Sequence, residues 1–327
     1  MRILLTGATG FIGKRVLDFL LNDGDSVTAL VVPETLRQLR GRAQVRVVLG
    51  DLSDSKALRK ATEDSEIVVH LAGKIVGSPP AELAEVNVRG TGNLLRACHA
   101  SSVRRLIFVS SAAVYKPVYA VAQLPIKETN PLGPSGGTPL GSYGKSKLDA
   151  ERLVLQCHDT HGLEYCILRP TVVYGPGAEN ASRSTEKVLC KLLGNAGRVL
   201  LAPQRPVHMQ WVHIGDITDA ILSAIRNPVA ANEIFTIAGP EAFNFAIMTL
   251  VMLDILRPAS KVRFSGRCRG RIWSPSLMYD ITKASKTLGY KPKIGLQTGL
   301  AQVLEDMDRK GRLPSLFSRR AHLELPA

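Results

Sequence analysis

The chain has 327 residues, of which 45% are hydrophobic and 21% are charged, so it can bury a sizeable core and is not a disordered chain. Its formal net charge is +14, and the region from Arg257 onward holds 15 Lys/Arg against 5 Asp/Glu. No zinc-finger, helix-turn-helix or aromatic–basic RNA-binding pattern accompanies this charge. We therefore expect a globular protein of about two domains with no nucleic-acid partner.

The sequence predicts neither a membrane span nor a secretory signal. The longest apolar run, 243–256, is shorter than the roughly 18 residues of a spanning helix, and it contains Asn244 and Asp254. It predicts a buried or amphipathic helix. The N-terminus enters a glycine-rich turn directly after Thr6, which leaves no room for a signal peptide. The five cysteines are scattered and form no CxxC pair, so we expect a cytoplasmic protein without disulfides or a metal.

The first half of the chain alternates apolar strands with longer helical patterns. In chain order, the predicted strands are 2–6, 26–32, 45–49, 67–71, 106–110 and 165–169, and the predicted helices are 11–22, 55–61, 81–101 and 143–161. Strands that are apolar throughout and joined by helices are typical of a parallel sheet covered on both faces. Residues 117–141 are rich in Pro, Gly, Ser and Thr and predict a loop.

Beyond about Gly175 the pattern becomes irregular, with strands predicted near 211–214 and 234–238. We therefore predict an α/β fold with a Rossmann-type doubly wound parallel sheet and a smaller C-terminal substrate lobe. The dinucleotide-binding domain is predicted over 1–174, with part of 207–240 returning to it. The lobe is predicted mainly over 175–327.

A glycine-rich turn lies between the first predicted strand and the first predicted helix. Gly7 allows the tight turn, Gly10 lets the backbone approach a pyrophosphate, and Gly13 lets the helix pack closely on the strand. The helix then begins with Phe11 and Ile12, and its unpaired N–H groups and positive dipole end face the phosphates. The strand–turn–helix context makes dinucleotide binding the preferred interpretation over a purely structural turn.

The ends of the second and third strands bear on the choice of coenzyme. Asp51 follows the third strand, where it could accept a hydrogen bond from an adenine amino group or act only as a turn residue. The second strand ends in Val31-Val32-Pro33, which offers neither an acid for the ribose hydroxyls nor an arginine for a 2′-phosphate. Arg37 and Arg40 lie shortly downstream. The cofactor is thus NAD or NADP, and the missing acid favours NADP.

A tyrosine, a lysine and a serine form the candidate catalytic group. Tyr143 and Lys147 are four residues apart at the start of a predicted helix and share one face of it. A nearby ammonium and the positive nicotinamide of an oxidised cofactor both favour the phenolate, so we expect them to lower the tyrosine pKa from its usual ~10. Ser111 ends the fifth strand, at the edge where ligands bind in parallel sheets. Such a tyrosine can exchange a proton with a hydroxyl or carbonyl group.

Taken together, these motifs make the sequence similar to the extended short-chain dehydrogenase/reductase family, also called the NAD-dependent epimerase/dehydratase family. The resemblance covers nearly the whole chain. It is carried by the segments 6–13, 51–52, 69–72, 87–91, 110–115, 143–147, 169–170, 174–177, 211–216 and 235–239.

The resemblance implies that Ser111, Tyr143 and Lys147 form a catalytic triad and that dimers are common. It further implies cofactor contacts from Asp51, Leu52, Leu71, Ala72 and Pro170, in addition to the glycine turn and the Tyr–Lys pair.

Within such a family, the residues after Ser111 narrow the reaction. Dehydratases of nucleotide sugars carry a carboxylate there, whereas this chain has Ala112 and Ala113. The first hypothesis is therefore a nucleotide-sugar 4-epimerase or 4-ketoreductase, whose anionic substrate could be bound by Arg205, Arg263 and the arginines of 267–271. The second hypothesis is a net ketone reductase or alcohol dehydrogenase acting on a lipid-like, steroid-like or flavonoid-like substrate. The third is a non-catalytic dinucleotide sensor.

Overall fold

The computed structural model describes residues 1–117, 124–133, 139–178, 208–256 and 277–312. The basic cluster predicted between Arg257 and Arg271 lies outside the described residues, as does Arg205. The structural statements that follow concern the described ranges.

The strands form one large parallel sheet and one small one. Their bounds are β1 Arg2–Thr6, β2 Ser26–Val31, β3 Arg46–Leu49, β4 Ile67–His70, β5 Arg105–Val109, β6 Glu164–Pro170, β7 Val172–Tyr174, β8 Trp211–His213 and β9 Glu233–Ile237. The large sheet has the order β3-β2-β1-β4-β5-β6-β9, and β7 pairs with β8 separately. The order changes direction between β1 and β4, and the carboxyl ends of strands at such a point form a crevice for a ligand.

Helices cover both faces of the large sheet. Their bounds are α1 Phe11–Asn22, α2 Ser55–Thr62, α3 Pro80–Leu83, α4 Gly90–His99, α5 Pro139–His161, α6 Ile214–Arg226, α7 Phe245–Leu256, α8 Thr282–Leu288 and α9 Leu296–Arg309. One apolar core joins α1, α6 and α8 to the sheet, and a second core on the other face joins α2, α4 and α5. The predicted doubly wound α/β fold is confirmed.

Three local features differ from the prediction. The helix predicted over 81–101 contains a π-helical segment, Ala84–Arg89, between α3 and α4. Helix α5 begins at Pro139 rather than at Tyr143, since proline is well suited to a first helical turn, so Tyr143 lies in the second turn. The strand predicted near 211–214 is β8, which pairs with the unpredicted β7 instead of joining the large sheet.

The C-terminal lobe has its own small core. Met248 and Met252 of α7 are buried with Leu300 and Leu304 of α9, so the apolar segment 243–256 contains a largely buried helix. The structure describes no helix long and apolar enough to cross a membrane. The domain boundary at residue 174 stays a prediction, although β9 does return to the large sheet by pairing with β6.

Two buried histidines make folding stability depend on pH. His70 and His213 are each 1% exposed. Desolvation lowers the pKa of His70 to about 3 and that of His213 to about 4. An unfolded histidine titrates near ~6.5, so between these values the unfolded chain binds more protons than the folded one. Their contribution to stability is therefore complete above pH ~6.5 and is lost as the pH falls toward 4.

We expect the urea-unfolding free energy to decrease between pH 6.5 and 4.5, with each of the two histidines contributing up to about 1.4 kcal/mol per pH unit. His70→Asn should reduce this slope at matched pH values. His99→Asn is the control, because His99 lies exposed at the end of α4. Equal slopes for the wild type and His70→Asn would contradict the assignment.

Candidate active site

The turn between β1 and α1 has no room for side chains at two of its glycines. Gly7 has φ of +72°, and a Cβ on it would lie 2.7 Å from the backbone nitrogen of Ala72. A Cβ on Gly13 would lie 1.9 Å from the carbonyl oxygen of Gly7. Glycine is therefore required at both positions, as the sequence pattern predicts, and α1 packs directly against the turn.

The amino terminus of α1 is available to an anion. Gly10 is its N-cap residue and supplies no side-chain cap, and the first turn contains no acidic residue. The Gly10 N–H donates to the Gly7 carbonyl oxygen at 2.9 Å, which closes the turn. The following N–H groups, at Phe11, Ile12 and Gly13, occupy the positions that lack partners within a helix. This uncapped helix end suits the pyrophosphate of a dinucleotide.

Asp51 has a local structural role in the described protein. Its Oδ1 accepts hydrogen bonds from the Ser53 backbone N–H at 2.7 Å and from the Ser53 hydroxyl at 2.6 Å. These bonds lower the pKa of Asp51. Leu52 is buried, and a Cβ on Gly90 would lie 2.8 Å from its Cβ. Turn formation thus explains Asp51 by itself, and cofactor contacts from Asp51 and Leu52 stay predictions.

The end of β2 is tied to the glycine turn by two threonines. The Thr9 hydroxyl donates to the Thr35 hydroxyl at 3.0 Å, and Thr35 donates to the Val32 carbonyl oxygen at 3.2 Å. Thr35 lies in the 3-10 helix Pro33–Leu39, on which Arg37 is exposed. Arg40, directly after this helix, is exposed as well. The position that discriminates coenzymes in such folds is therefore occupied by the carbonyl and apolar side chain of Val32.

The three candidate catalytic residues meet at the carboxyl end of β5. The Lys147 Nζ donates to the Val109 carbonyl oxygen at 2.9 Å, and it lies 4.9 Å from the centre of the Phe108 ring. The Tyr143 hydroxyl forms a hydrogen bond with Ser111. Tyr143 and Lys147 are one turn apart on α5, so the same helix face presents a phenol and an ammonium to one strand end.

Burial changes the proton affinities of this pair in the protein alone. Desolvation raises the pKa of Tyr143 to about 12, and the bond with Ser111 only partly offsets it. Desolvation also lowers the pKa of Lys147 to about 8, opposed by the negative charge of Glu151. The pKa of Tyr143 is therefore raised in the chain alone, because desolvation of the phenolate outweighs the bond with Ser111. Its lowering beside Lys147 and a bound nicotinamide stays a prediction.

Short segments connect the catalytic pair to the glycine cradle. A Cβ on Gly73 would lie 3.8 Å from the Lys147 Nζ, and Gly73 directly follows Leu71 and Ala72, which border Gly7. Pro170 is buried at the end of β6, one strand beyond β5. The structure thus brings the candidate site residues to the carboxyl edge of β1, β4, β5 and β6. Their individual roles stay predictions.

A buried polar network beneath the site was not predicted from the sequence. The Ala72 N–H donates to the Thr6 hydroxyl at 3.2 Å, Thr6 contacts the His70 Nδ1 at 2.8 Å, and the His70 Nε2 contacts the Thr91 hydroxyl at 3.0 Å. Thr91 in turn donates to the Asn87 carbonyl oxygen at 2.6 Å. Since the Thr91 hydrogen is used there, His70 must donate from Nε2 and accept at Nδ1.

Asn87 extends this network to the catalytic helix. Its Oδ1 accepts from the Lys74 backbone N–H at 2.7 Å, and its Nδ2 donates to the Ser146 hydroxyl at 2.9 Å. Ser146 then donates to the Tyr143 carbonyl oxygen at 2.8 Å. The signals in the sequence were a histidine in an apolar strand and an asparagine inside a helix. Neither signal identifies its partner.

The strand order reverses beside β1, which leads into an uncapped glycine turn. A phenol and an ammonium lie at the carboxyl end of β5 on the same edge of the sheet. These features together define a Rossmann-type dinucleotide-binding oxidoreductase. Residues 3–238 match the model of the NAD dependent epimerase/dehydratase family. The chain belongs to this NAD-dependent family of enzymes.

Several known proteins are similar to the chain over most of its length. A UDP-glucose 4-epimerase from Halalkalibacterium halodurans is 34% identical over 90% of this chain and 91% of that protein. The crystal structure of UDP-glucose 4-epimerase from Thermotoga maritima with UDP-glucose has a TM-score of 0.78 at 23% identity. The match covers 95% of this chain and 99% of that one, and it shows a similarity of fold. The dTDP-glucose 4,6-dehydratase DesIV from Streptomyces venezuelae, with NAD bound, has a TM-score of 0.76 at 26% identity, covering 95% and 98%.

Proposed function

We propose that the protein is a nucleotide-sugar 4-epimerase, which inverts a hydroxyl-bearing carbon of its substrate by oxidation and reduction. The observation that carries the proposal is the meeting of Ser111, Tyr143 and Lys147 at the end of β5, beside the glycine cradle. A relative supports the choice of a nucleotide sugar, since the Halalkalibacterium protein is a UDP-glucose 4-epimerase.

Each of the three side chains has a distinct task in this proposal. Ser111 orients the C4 oxygen, and Tyr143 removes the proton of the C4 hydroxyl and returns it after inversion. Lys147 stabilises the phenolate from its place at the end of β5. When bound, the nicotinamide supplies a positive charge and accepts and returns the C4 hydride. That charge is needed because the pKa of Tyr143 is about 12 in the chain alone.

The residues after Ser111 argue against dehydration. Ala112 is buried, and the Ala113 N–H donates to the Ser111 Oγ at 3.1 Å, so this turn presents no acid to a substrate. Removal of a C5 proton and loss of water require acid–base groups that alanine lacks. The similarity to DesIV therefore supports the fold and a nicotinamide cofactor, and not the dehydratase reaction.

A net reductase for a lipid-like substrate is the alternative, and one of its two arguments loses force. The apolar segment 243–256 suggested an apolar substrate site, but Met248 and Met252 are accounted for by the lobe core. The other argument concerned residues around 178–206, nearly all of which lie outside the described residues. A pure dinucleotide sensor would have no need of the arrangement of Tyr143 and Lys147.

The coenzyme preference forms a finer part of the proposal. We infer that NADP is accepted, because Val32 presents no carboxylate that would repel a 2′-phosphate, and Arg37 and Arg40 are exposed nearby. The NAD bound in DesIV supports the unphosphorylated form as the alternative.

Native purification tests the proposed function and the coenzyme together. We expect mass spectrometry of the released small molecules to detect a nicotinamide dinucleotide, and its mass to report NAD or NADP. The purified protein should then interconvert C4 epimers of a UDP-hexose without added nicotinamide. Stoichiometric consumption of added NADPH or NADH would instead support the net reductase, and bound cofactor without any turnover would support the sensor.

Three further expectations belong to the same proposal. A homodimer follows from the family resemblance, and light scattering of the purified protein tests it. An anionic substrate is consistent with the basic residues beyond Arg257 in the sequence. A cytoplasmic location is proposed from the sequence, and fractionation of cells that express the protein tests it.

A further inference from the structure

Helix α5 contains two oppositely charged side chains at ion-pair spacing that each bond to another partner. Lys147 and Glu151 are four residues apart, the spacing at which oppositely charged side chains meet on a helix. Yet Lys147 donates to the Val109 carbonyl oxygen at 2.9 Å. Glu151 is held instead by Arg169 of β6, through Nε to Oε1 at 3.0 Å and Nη2 to Oε2 at 2.7 Å.

The Arg169–Glu151 pair is almost completely removed from water. The Arg169 side chain is 2% exposed and that of Glu151 is 1% exposed. Both carboxylate oxygens are engaged by one planar guanidinium, the geometry that gives such pairs their strength and direction. The guanidinium also lies 5.0 Å from the centre of the Tyr115 ring, which limits its movement.

Among the described groups around Lys147, Glu151 is the acid whose charge acts on the ammonium. His70 on β4 is neutral, because burial lowers its pKa to about 3. β5 offers the Phe108 ring and a carbonyl oxygen, and α5 itself offers Tyr143 and Glu151. At the edge of the site, Lys74 is paired with Glu82 at 2.9 Å on the surface. The buried charged side chains around Lys147 are thus those of Glu151 and Arg169.

We propose that Arg169 is a positioning residue that holds Glu151 away from Lys147 and so keeps the ammonium at the end of β5, where Tyr143 uses it. The inference rests on the proposed function. Without Arg169, the Glu151 carboxylate would be buried without a partner, and the Lys147 ammonium would be the nearest cation to satisfy it. The two would pair along α5, and the phenol would lose its stabilising charge.

Glu151 has a second effect through its charge. Its carboxylate favours the protonated form of Lys147 and opposes the desolvation that lowers the lysine pKa. Removing only Glu151 would leave Lys147 and Arg169 as two buried cations. The two single substitutions therefore shift the pKa of Lys147 in opposite directions. Removing both charges leaves the Lys147 ammonium at its present position at the end of β5.

The test compares Arg169→Met, Glu151→Gln and the double variant, each as holoenzyme with a UDP-hexose. Arg169→Met should lower kcat about 100-fold, the scale of losing proton-transfer assistance, and the double variant should recover to within about 10-fold of the wild type. The alkaline limb of the pH–rate profile, where Lys147 loses its proton, should move to higher pH in Arg169→Met and to lower pH in Glu151→Gln.

Control variants separate positioning from folding. Arg152→Met removes an exposed arginine of α5 that pairs with Asp149 at 2.9 Å, and it should leave kcat unchanged. If Arg169→Met does not fold, Arg169→Lys keeps the charge but loses the two-point contact, and it should still move the alkaline limb to higher pH.

The proposal would be overturned by a double variant whose kcat is as low as that of Arg169→Met. It would also be overturned if the alkaline limbs of Arg169→Met and Glu151→Gln moved in the same direction. Failure of the proposed function would be recognised separately, because the wild-type holoenzyme would then not interconvert the C4 epimers of a UDP-hexose.

Discussion

Tyr143→Phe is expected to reduce epimerisation by at least about 10²–10⁴-fold, the usual contribution of a positioned proton donor and acceptor, while dinucleotide affinity stays within a few-fold. The substitution removes one hydroxyl and keeps the ring that fills the space beside Ser111. Because the proposed cradle at Gly7 and Gly13 lies on a separate element, we expect cofactor binding to depend little on this hydroxyl. Turnover and a fluorescence titration with the dinucleotide measure the two effects separately.

Tyr165→Phe is the matched control for this experiment. Tyr165 lies near the start of β6, at the opposite end of that strand from Pro170, and should tolerate the loss of its hydroxyl. Wild-type turnover in Tyr143→Phe would remove the phenol from the mechanism. A loss of cofactor affinity as large as the loss of turnover would assign Tyr143 to binding instead.

Gly13→Ala should abolish dinucleotide binding and destabilise the fold. The new Cβ would lie 1.9 Å from the Gly7 carbonyl oxygen, so α1 must move away from the glycine turn that precedes it. Forcing a methyl group into such packing costs about 1–3 kcal/mol. The backbone N–H groups of the displaced helix end would also no longer point toward the proposed pyrophosphate position. Urea unfolding and cofactor titration of the purified variant measure both effects.

Gly92→Ala provides the control substitution in a helix. A Cβ on Gly92 of α4 would lie 3.6 Å from the Leu153 side chain, an ordinary van der Waals contact. Alanine is also the better helix former by about 1 kcal/mol, so stability should stay equal or increase. Unchanged cofactor affinity in Gly13→Ala would show that this turn is not the phosphate cradle.

Much of the large sheet was predictable because its strands are apolar runs with clear boundaries. The ends of the predicted and observed strands of the large sheet differ by at most one residue, as for 45–49 against Arg46–Leu49. The short β7 was missed, since its three residues follow β6 after a single intervening residue. The π-helical segment Ala84–Arg89 was missed as well, because the apolar pattern of the surrounding helix continues through it.

The site was predictable only where its residues are neighbours in sequence or belong to a repeated pattern. The spacing of Tyr143 and Lys147 and that of the glycines are local signals. The contacts of Arg169 with Glu151 and of His70 with Thr6 join residues from different elements, and no local spacing identifies them. The raised pKa of Tyr143 was likewise unpredictable, because it depends on how the folded chain surrounds this half-buried phenol.

The fate of a deuterium label at C4 tests the proposed epimerisation most directly. A UDP-hexose deuterated at C4 is incubated with the holoenzyme, without added nicotinamide, until both epimers are present. The account predicts that the product epimer retains its deuterium at C4, because the hydride leaves and returns within one site while Tyr143 handles only the hydroxyl proton. Product that has lost its deuterium would contradict the account.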